Sequence, residues 1–247
     1  MASGKIERYE RLLSLHHALR LNRRITAGHL DAGHETEVEY SPSLHQEDQR
    51  LLTESLGLVA HAGPELVRRF YERLFTARPF LRGLFPAHHE AMLVQHDKLL
   101  RALFALAAAY AHPDRLTPVL TQLGRDHRKF GVRPAHYPAV GEALVATLRE
   151  FAGAAWRAEY EQAWSRAYTL TASLMVAAAA EAESDPPFWY ASVVAHELRH
   201  PDIAVLRVRP HQPYQYLSGQ FATVEQPHLP RVWRPYSMAT SPRTDSV

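Results

Sequence analysis

Near residue 186 the hydrophobic period of this chain drops from three-to-four residues to two, and that change limits what it can fold into. From residue 46 to about 184 the apolar spacing is helical. Leu66, Phe70, Leu74 and Phe75 share one face, with Tyr71 beside them. Met92, His96, Leu99, Leu103, Leu106 and Tyr110 keep step through a longer helix. Leu116, Leu120, Leu123 and His127 form the next stripe, and Tyr137, Val140, Leu144 and Leu148 the one after. The last helix runs through Tyr160, Trp164, Ala167, Thr171, Leu174, Ala178 and Glu181. Gly63-Pro64, Pro79, Pro86, Pro113, Pro134 and Gly153 punctuate these helices, and Pro186-Pro187 ends the series. Beyond it Ile203, Val205 and Arg207 alternate with Ala204, Leu206 and Val208. Phe221–Val224 and the alternation of Val232, Arg234 and Tyr236 with Trp233, Pro235 and Ser237 complete a set of short antiparallel strands. The expected class is mainly α: a helical domain followed by a short β segment.

Composition narrows the chemistry. With 46% hydrophobic and 22% charged residues the chain is globular rather than disordered. A net charge of +2 gives no argument for nucleic acid. The absence of cysteine excludes disulfides, thiolate metal sites, iron–sulfur clusters and a cysteine nucleophile, while 16 histidines keep imidazole chemistry open. The longest apolar run, residues 174–180, falls far short of the ~20 residues a spanning helix needs. The N-terminus lacks the apolar core of a signal peptide. The expectation is a soluble, cytoplasmic protein with no membrane span.

Residues 1–45 differ from the rest. Ile6, Tyr9, Leu12, Leu13 and Leu19 could line a short helix beside the basic Arg20, Arg23 and Arg24, and Gly28, Gly33 and Ser41-Pro42 break it. This stretch reads as a mobile extension, or as a helix that meets a partner or a membrane surface. The expected organisation is an extension over 1–45, a helical domain over 46–185 and a β segment over 186–247.

Three polar groups sit on the apolar stripes. His127 continues the face of Leu116, Leu120 and Leu123, Tyr137 opens the following helix, and Glu181 ends the last one. By period alone His127 is either a hydrogen-bonded core residue or a metal ligand. A buried carboxylate needs a partner. A His–Tyr–Glu set on three neighbouring helix ends would supply one, and would suit a ligating histidine whose second nitrogen is held in place.

Here several motifs fall in order with compatible spacing. They are Gly63-Pro64-Glu65-Leu66, Phe70-Tyr71-Glu72-Arg73-Leu74-Phe75, Leu84-Phe85-Pro86, Asp126-His127-Arg128-Lys129-Phe130-Gly131-Val132, Tyr137 and Val140-Gly141-Glu142-Ala143-Leu144. Together they resemble the globin domain of bacterial flavohaemoglobins. The resemblance implies a globin fold carrying haem b, with His127 as the proximal iron ligand. It implies that Tyr137 and Glu181 form an acidic pair behind that ligand, strengthening its donation to iron. Tyr71 matches the distal tyrosine that hydrogen-bonds the gaseous ligand, and Phe85 the phenylalanine wedged against the haem. Gln95 and Leu99 match the distal glutamine and leucine. A register one turn later, on Ala102-Leu103-Phe104 and Ala108-Ala109-Tyr110-Ala111, would instead place Leu99 and Leu103 in the pocket. Gln95 and Leu99 keep the more even spacing between Phe85 and His127, and His96 is a rival distal residue.

Arg234-Pro235-Tyr236-Ser237 resembles the signature of ferredoxin-reductase-like FAD domains, and Tyr216-Leu217-Ser218-Gly219-Gln220-Phe221 the strand before it. Arginine offers a planar cationic fork to a pyrophosphate, tyrosine an aromatic face to flavin, and serine a hydrogen bond to a ring nitrogen. Tyr216, Arg234, Tyr236 and Ser237 are therefore the implied FAD residues. The family usually has proline in place of Ser218. The chain stops just after this motif, so the expectation is a truncated antiparallel β-barrel segment, whether fragment, short gene product or partner-completed half. The implied function is oxidation of nitric oxide to nitrate with oxygen. Electrons come from NADH through FAD in the complete family enzyme and from an external reductase here. The alternative is a haem-based oxygen carrier or sensor without its own reductase.

Overall fold

The computed structural model describes residues 42–240, with side chains described from residue 46 onward. The helical face expected over Ile6 to Leu19, its Gly28 and Gly33 breaks, and the polar tail from Ser241 lie outside the described residues. The described chain forms two units that divide between Ala182 and Glu183.

The first unit is helical: α1 (Pro42–Val59), α2 (Gly63–Ala77), α3 (His89–Ala109), α4 (Pro113–His127), α5 (Tyr137–Ala152) and α6 (Ala158–Glu181), with a 3-10 turn at Pro79–Leu84 between α2 and α3. Proline stands in the first turn of α2, α4 and α5, where its missing N–H leaves no hydrogen bond unmade. α1 likewise starts on Pro42, so this proline opens a helix where the spacing predicts a break. Gly153 closes α5 at φ 52, a conformation that costs a side-chain-bearing residue.

Packing sets where the helices stand. α4 lies along α6, α2 along α5, and α3 against α1 and α2, while α1 also touches α5 and α6. Trp164 of α6 is fully buried and donates its Nε1–H to Ser55 Oγ of α1 at 2.9 Å. About two turns earlier, α1 grips two helices at once. Asp48 is 1% exposed and accepts two hydrogen bonds from Arg166 of α6, the Nε one at 2.9 Å. Gln49 donates to the Ala108 carbonyl at 3.0 Å and accepts from the Ala111 N–H at 3.1 Å, which ties α1 to the end of α3.

The second unit consists of two separate two-stranded antiparallel sheets, β1 (Ala191–His200) with β2 (Ile203–Pro210) and β3 (Phe221–Val224) with β4 (Arg234–Ser237). They do not close into a barrel. β1 has no counterpart in the sequence reading. Its register shifts between Val193 and Ala195 and again between Leu198 and His200, so regular alternation is confined to Ala195–Leu198. β4 begins at Arg234, two residues later than the alternation from Val232 predicts. Among the described residues, no helix is long and apolar enough to cross a membrane.

Candidate functional site

Two groups of sequence-selected residues lie in the helical unit. The first surrounds Tyr71, which faces inward from α2 and is only 5% exposed. Phe70 meets its ring edge-on at 4.9 Å between centroids, and Phe85 does so at 5.3 Å. Phe75, one turn along α2, lies near-parallel at 5.6 Å. His96 of α3 stacks on it at 5.0 Å with 14° between planes. Burial pushes the Tyr71 hydroxyl up to about 12, while a side-chain hydrogen bond with Gln95 pulls the other way. Tyr71 is therefore a protonated hydroxyl at neutral pH, engaged with the first of the two alternative distal residues. Leu99 is partly buried against the core and Leu103 is buried within it. Of the two registers open in the sequence, the one carrying Gln95 puts a polar side chain on Tyr71.

The second set stands at three helix ends: His127 at the end of α4, Glu181 at the end of α6 and Tyr137 at the start of α5. His127 is the last residue of α4, and its Nδ1 lies 2.7 Å from the Leu123 carbonyl one turn back. Burial holds its pKa below the ordinary histidine value, opposed by that hydrogen bond and by Asp126. The ring is thus neutral, with Nδ1 carrying the proton toward Leu123 and Nε2 in the lone-pair form that coordinates a metal. Glu181, the last residue of α6, receives a hydrogen bond from Arg125 Nη2 at 2.9 Å. Tyr137 accepts on its carbonyl the hydroxyl proton of Tyr168 at 2.7 Å, and burial raises the pKa of its own hydroxyl. The Nδ1 partner is thus a backbone carbonyl, where the resemblance implies the Tyr137–Glu181 pair.

Two glycines bring these helices close. A Cβ on Gly124 would lie 2.3 Å from the Met175 carbonyl oxygen and 2.7 Å from its Cα, so α4 and α6 touch backbone to backbone one turn before His127. A Cβ on Gly141 would lie 2.6 Å from the Tyr168 ring, which is how that ring reaches over α5 to the Tyr137 carbonyl. The sequence reading missed both contacts. The i, i+4 offset of Leu123 and His127 was the available signal for the first hydrogen bond.

Exposure differs from expectation at Leu123, which is 37% exposed although spacing predicts it on the buried stripe. Leu116 and Leu120 of the same helix are buried. Among the described residues, no three His, Asp or Glu side chains gather to hold a bare ion. A metal at His127 would bring its own further donors, and a haem does so. The neutral imidazole with an anchored Nδ1, and a buried tyrosine engaged by a half-buried glutamine on a separate helix pair, fit that group.

In the β unit the implied flavin residues lie around β3 and β4. Register pairs Arg234 with Val224, Tyr236 with Ala222 and Ser237 with Phe221. Strand alternation puts Arg234 and Tyr236 on one face and Ser237 on the other. Tyr216 donates its hydroxyl to the Thr240 carbonyl at 3.2 Å, and its ring lies near-parallel to Tyr214 at 6.2 Å.

A helical unit of this kind, with a terminal histidine on α4 and a buried tyrosine on α2, is globin-like, and the globin family model matches residues 68–175. The chain carries a globin-like domain related to the bacterial flavohemoproteins. It is 34% identical over 132 residues to the flavohemoprotein of Rhizobium meliloti (strain 1021), across 53% of this chain and 33% of that protein. The flavohemoprotein of Rhodopirellula baltica is 30% identical over 209 residues, 79% of this chain and 51% of its own length. The crystal structure of a Malassezia yamatoensis flavohemoglobin with bound FAD and haem superposes with a TM-score of 0.57 at 16% identity, over 77% of this chain and 52% of that one. This last likeness is one of fold alone. The chain spans about a third of the length of the first relatives it matches.

Proposed function

We propose that the helical domain binds haem b through His127 and acts on oxygen and nitric oxide as an oxidoreductase of the nitric oxide dioxygenase kind. The observation that carries this reading is the pairing of a neutral, Nδ1-anchored imidazole with a separately built hydroxyl–amide couple, Tyr71 with Gln95. When bound, haem supplies the redox-active iron and the open coordination position for a diatomic ligand. The chain's own residues do the rest. Leu123 holds the His127 ring in one tautomer and one rotation about its axis. Tyr71 keeps its proton and offers it as a hydrogen bond, and Gln95 steers the hydroxyl. Phe70, Phe75 and Phe85 keep water from the ring of Tyr71. Tyr137, which opens α5, and Glu181, which ends α6 and holds Arg125 two residues before His127, are proposed as the acidic pair whose negative charge would raise the basicity of the imidazole.

Electrons would come from a reductase. Arg234, Tyr236, Ser237 and Tyr216 are proposed to hold FAD when the flavin domain is complete. A second reading is an oxygen carrier or sensor, which the same haem site would serve without turnover of nitric oxide.

Ultraviolet–visible spectra of the purified chain, oxidised and then reduced with dithionite under carbon monoxide, test the first step. Acid extraction for flavin and nitric oxide consumption with an added reductase test the rest. A Soret band that moves with carbon monoxide, together with nitric oxide consumption and nitrate formation, is the expected result. Haem with reversible oxygenation but no turnover would leave the carrier reading. No chromophore after reconstitution with haemin would overturn both.

The distal couple has its own test. Tyr71→Phe deletes one hydrogen bond worth ~1 kcal/mol, so oxygen should leave the haem-loaded protein about five times faster. Stopped-flow displacement of oxygen by carbon monoxide measures it, and an unchanged rate would remove Tyr71 from the ligand's surroundings.

A further inference from the structure

Gln95 and His96 are neighbours on α3, and both engage Tyr71 of α2. Consecutive helical residues point about 100° apart. One therefore reaches the hydroxyl while the other covers the ring. The His96 ring stacks on Tyr71 at 5.0 Å with only 14° between planes, the flattest of the contacts around that ring. The three phenylalanines meet it at 71°, 28° and 74°. Phe70 and Phe75 belong to the same helix as Tyr71, and Phe85 follows the turn after it. His96 is thus the one stacked ring that comes from α3, the helix that also supplies Gln95.

Resting on the haem reading above, we infer that His96 is a positioning residue that clamps the Tyr71 ring so that its hydroxyl stays aimed for ligand binding. Tyr71 is free to turn about χ1 and χ2 unless something fixes its plane. The phenylalanines fill space around it, but two of the three meet it edge-on. A flat contact from α3 resists rotation of the ring out of that plane. It also couples the ring to the backbone segment that carries Gln95, so hydroxyl and amide move together. Burial and the neighbouring His89 hold the His96 pKa below the usual value, which keeps the stacked ring neutral. His96 needs no proton transfer for this role, and a phenyl ring of similar breadth can replace it.

The test uses the full haem-loaded chain and four variants: His96→Ala, His96→Phe, Tyr71→Phe, and His96→Ala combined with Tyr71→Phe. The readouts are the oxygen dissociation rate and the C–O stretching frequency of the carbon monoxide complex, which reports hydrogen bonding to the ligand directly. His96→Ala should speed oxygen loss up to about fivefold, the value of the hydrogen bond it loosens, and move the C–O stretch upward. His96→Phe should restore both. On the Tyr71→Phe background His96→Ala should change neither, because the two residues act through one hydroxyl. Wild-type behaviour of His96→Ala, or an equal effect on both backgrounds, overturns the inference and leaves the haem reading intact. Failure of the wild-type chain to take up haem overturns both together.

Discussion

His127→Ala abolishes the normal iron coordination of the haem-loaded chain: this is the largest effect expected of any single substitution. The imidazole is the proposed bond between protein and iron, and its Nδ1 already has a backbone partner 2.7 Å away. Removing it deletes the donor and its orientation in one step. The ferrous spectrum of the unaltered haem-loaded chain should disappear, and haem should transfer to an acceptor protein far faster. Free imidazole, which fits the space left by the ring, should return part of the original spectrum. The helical fold should survive, because the described hydrogen bond of His127 lies within its own helix and amounts to ~1 kcal/mol. Circular dichroism of the variant separates the two effects. An unaltered iron spectrum in His127→Ala would assign the ligand to another residue.

Asp48→Ala is expected to give the largest loss of stability. Asp48 is 1% exposed and accepts both hydrogen bonds of the Arg166 fork. Truncating it leaves a guanidinium without its counter-ion. Breaking a buried pair in this way costs about 3–5 kcal/mol. The Arg166 side chain is 36% exposed, so water recovers part of that, and the low end of the range applies. In thermal terms the midpoint should fall by roughly 6–12 °C. Asp48→Asn keeps the shape and one acceptor, and should lose less. Chemical denaturation of the three proteins checks the order. Equal stability of Asp48→Ala and wild type would mean that Arg166 finds another partner at no cost.

The helices were legible because proline and glycine mark their ends and leucine their inner faces. Gly63-Pro64, Pro113 and Gly153 fall at observed boundaries, and Pro134 opens the 3-10 turn Pro134–His136 that leads into α5. Pro42 misled because the same residue marks a break or a first turn, and local sequence does not distinguish them. β1 was illegible for a different reason. Two register shifts scramble the period of two on which recognition depends. Tyr71, Phe85 and Gln95 stand in order along the sequence, yet the cage around Tyr71 depends on how α3 lies across α2. No spacing within one helix encodes that crossing. The same holds for Gly124, whose contact with Met175 joins residues far apart in sequence. The bond from His127 to Leu123 was local and within reach of a helix argument.

The grip of α1 on two helices bears on what counts as the smallest working unit. The stretch that matches the globin family model begins at residue 68, well after α1 has ended at Val59. Yet Asp48 and Gln49 hold α6 and the end of α3 from adjoining positions, and Ser55 receives the buried indole of Trp164. α3 carries Gln95, and α6 is the bed on which His127's helix lies. A chain trimmed to the family signature would keep Tyr71, Gln95 and His127 and lose Glu181. It would lose the brace that sets the two walls of the site at a common spacing. Recognition and self-sufficiency therefore have different borders here, and the second lies outside the first by at least one helix.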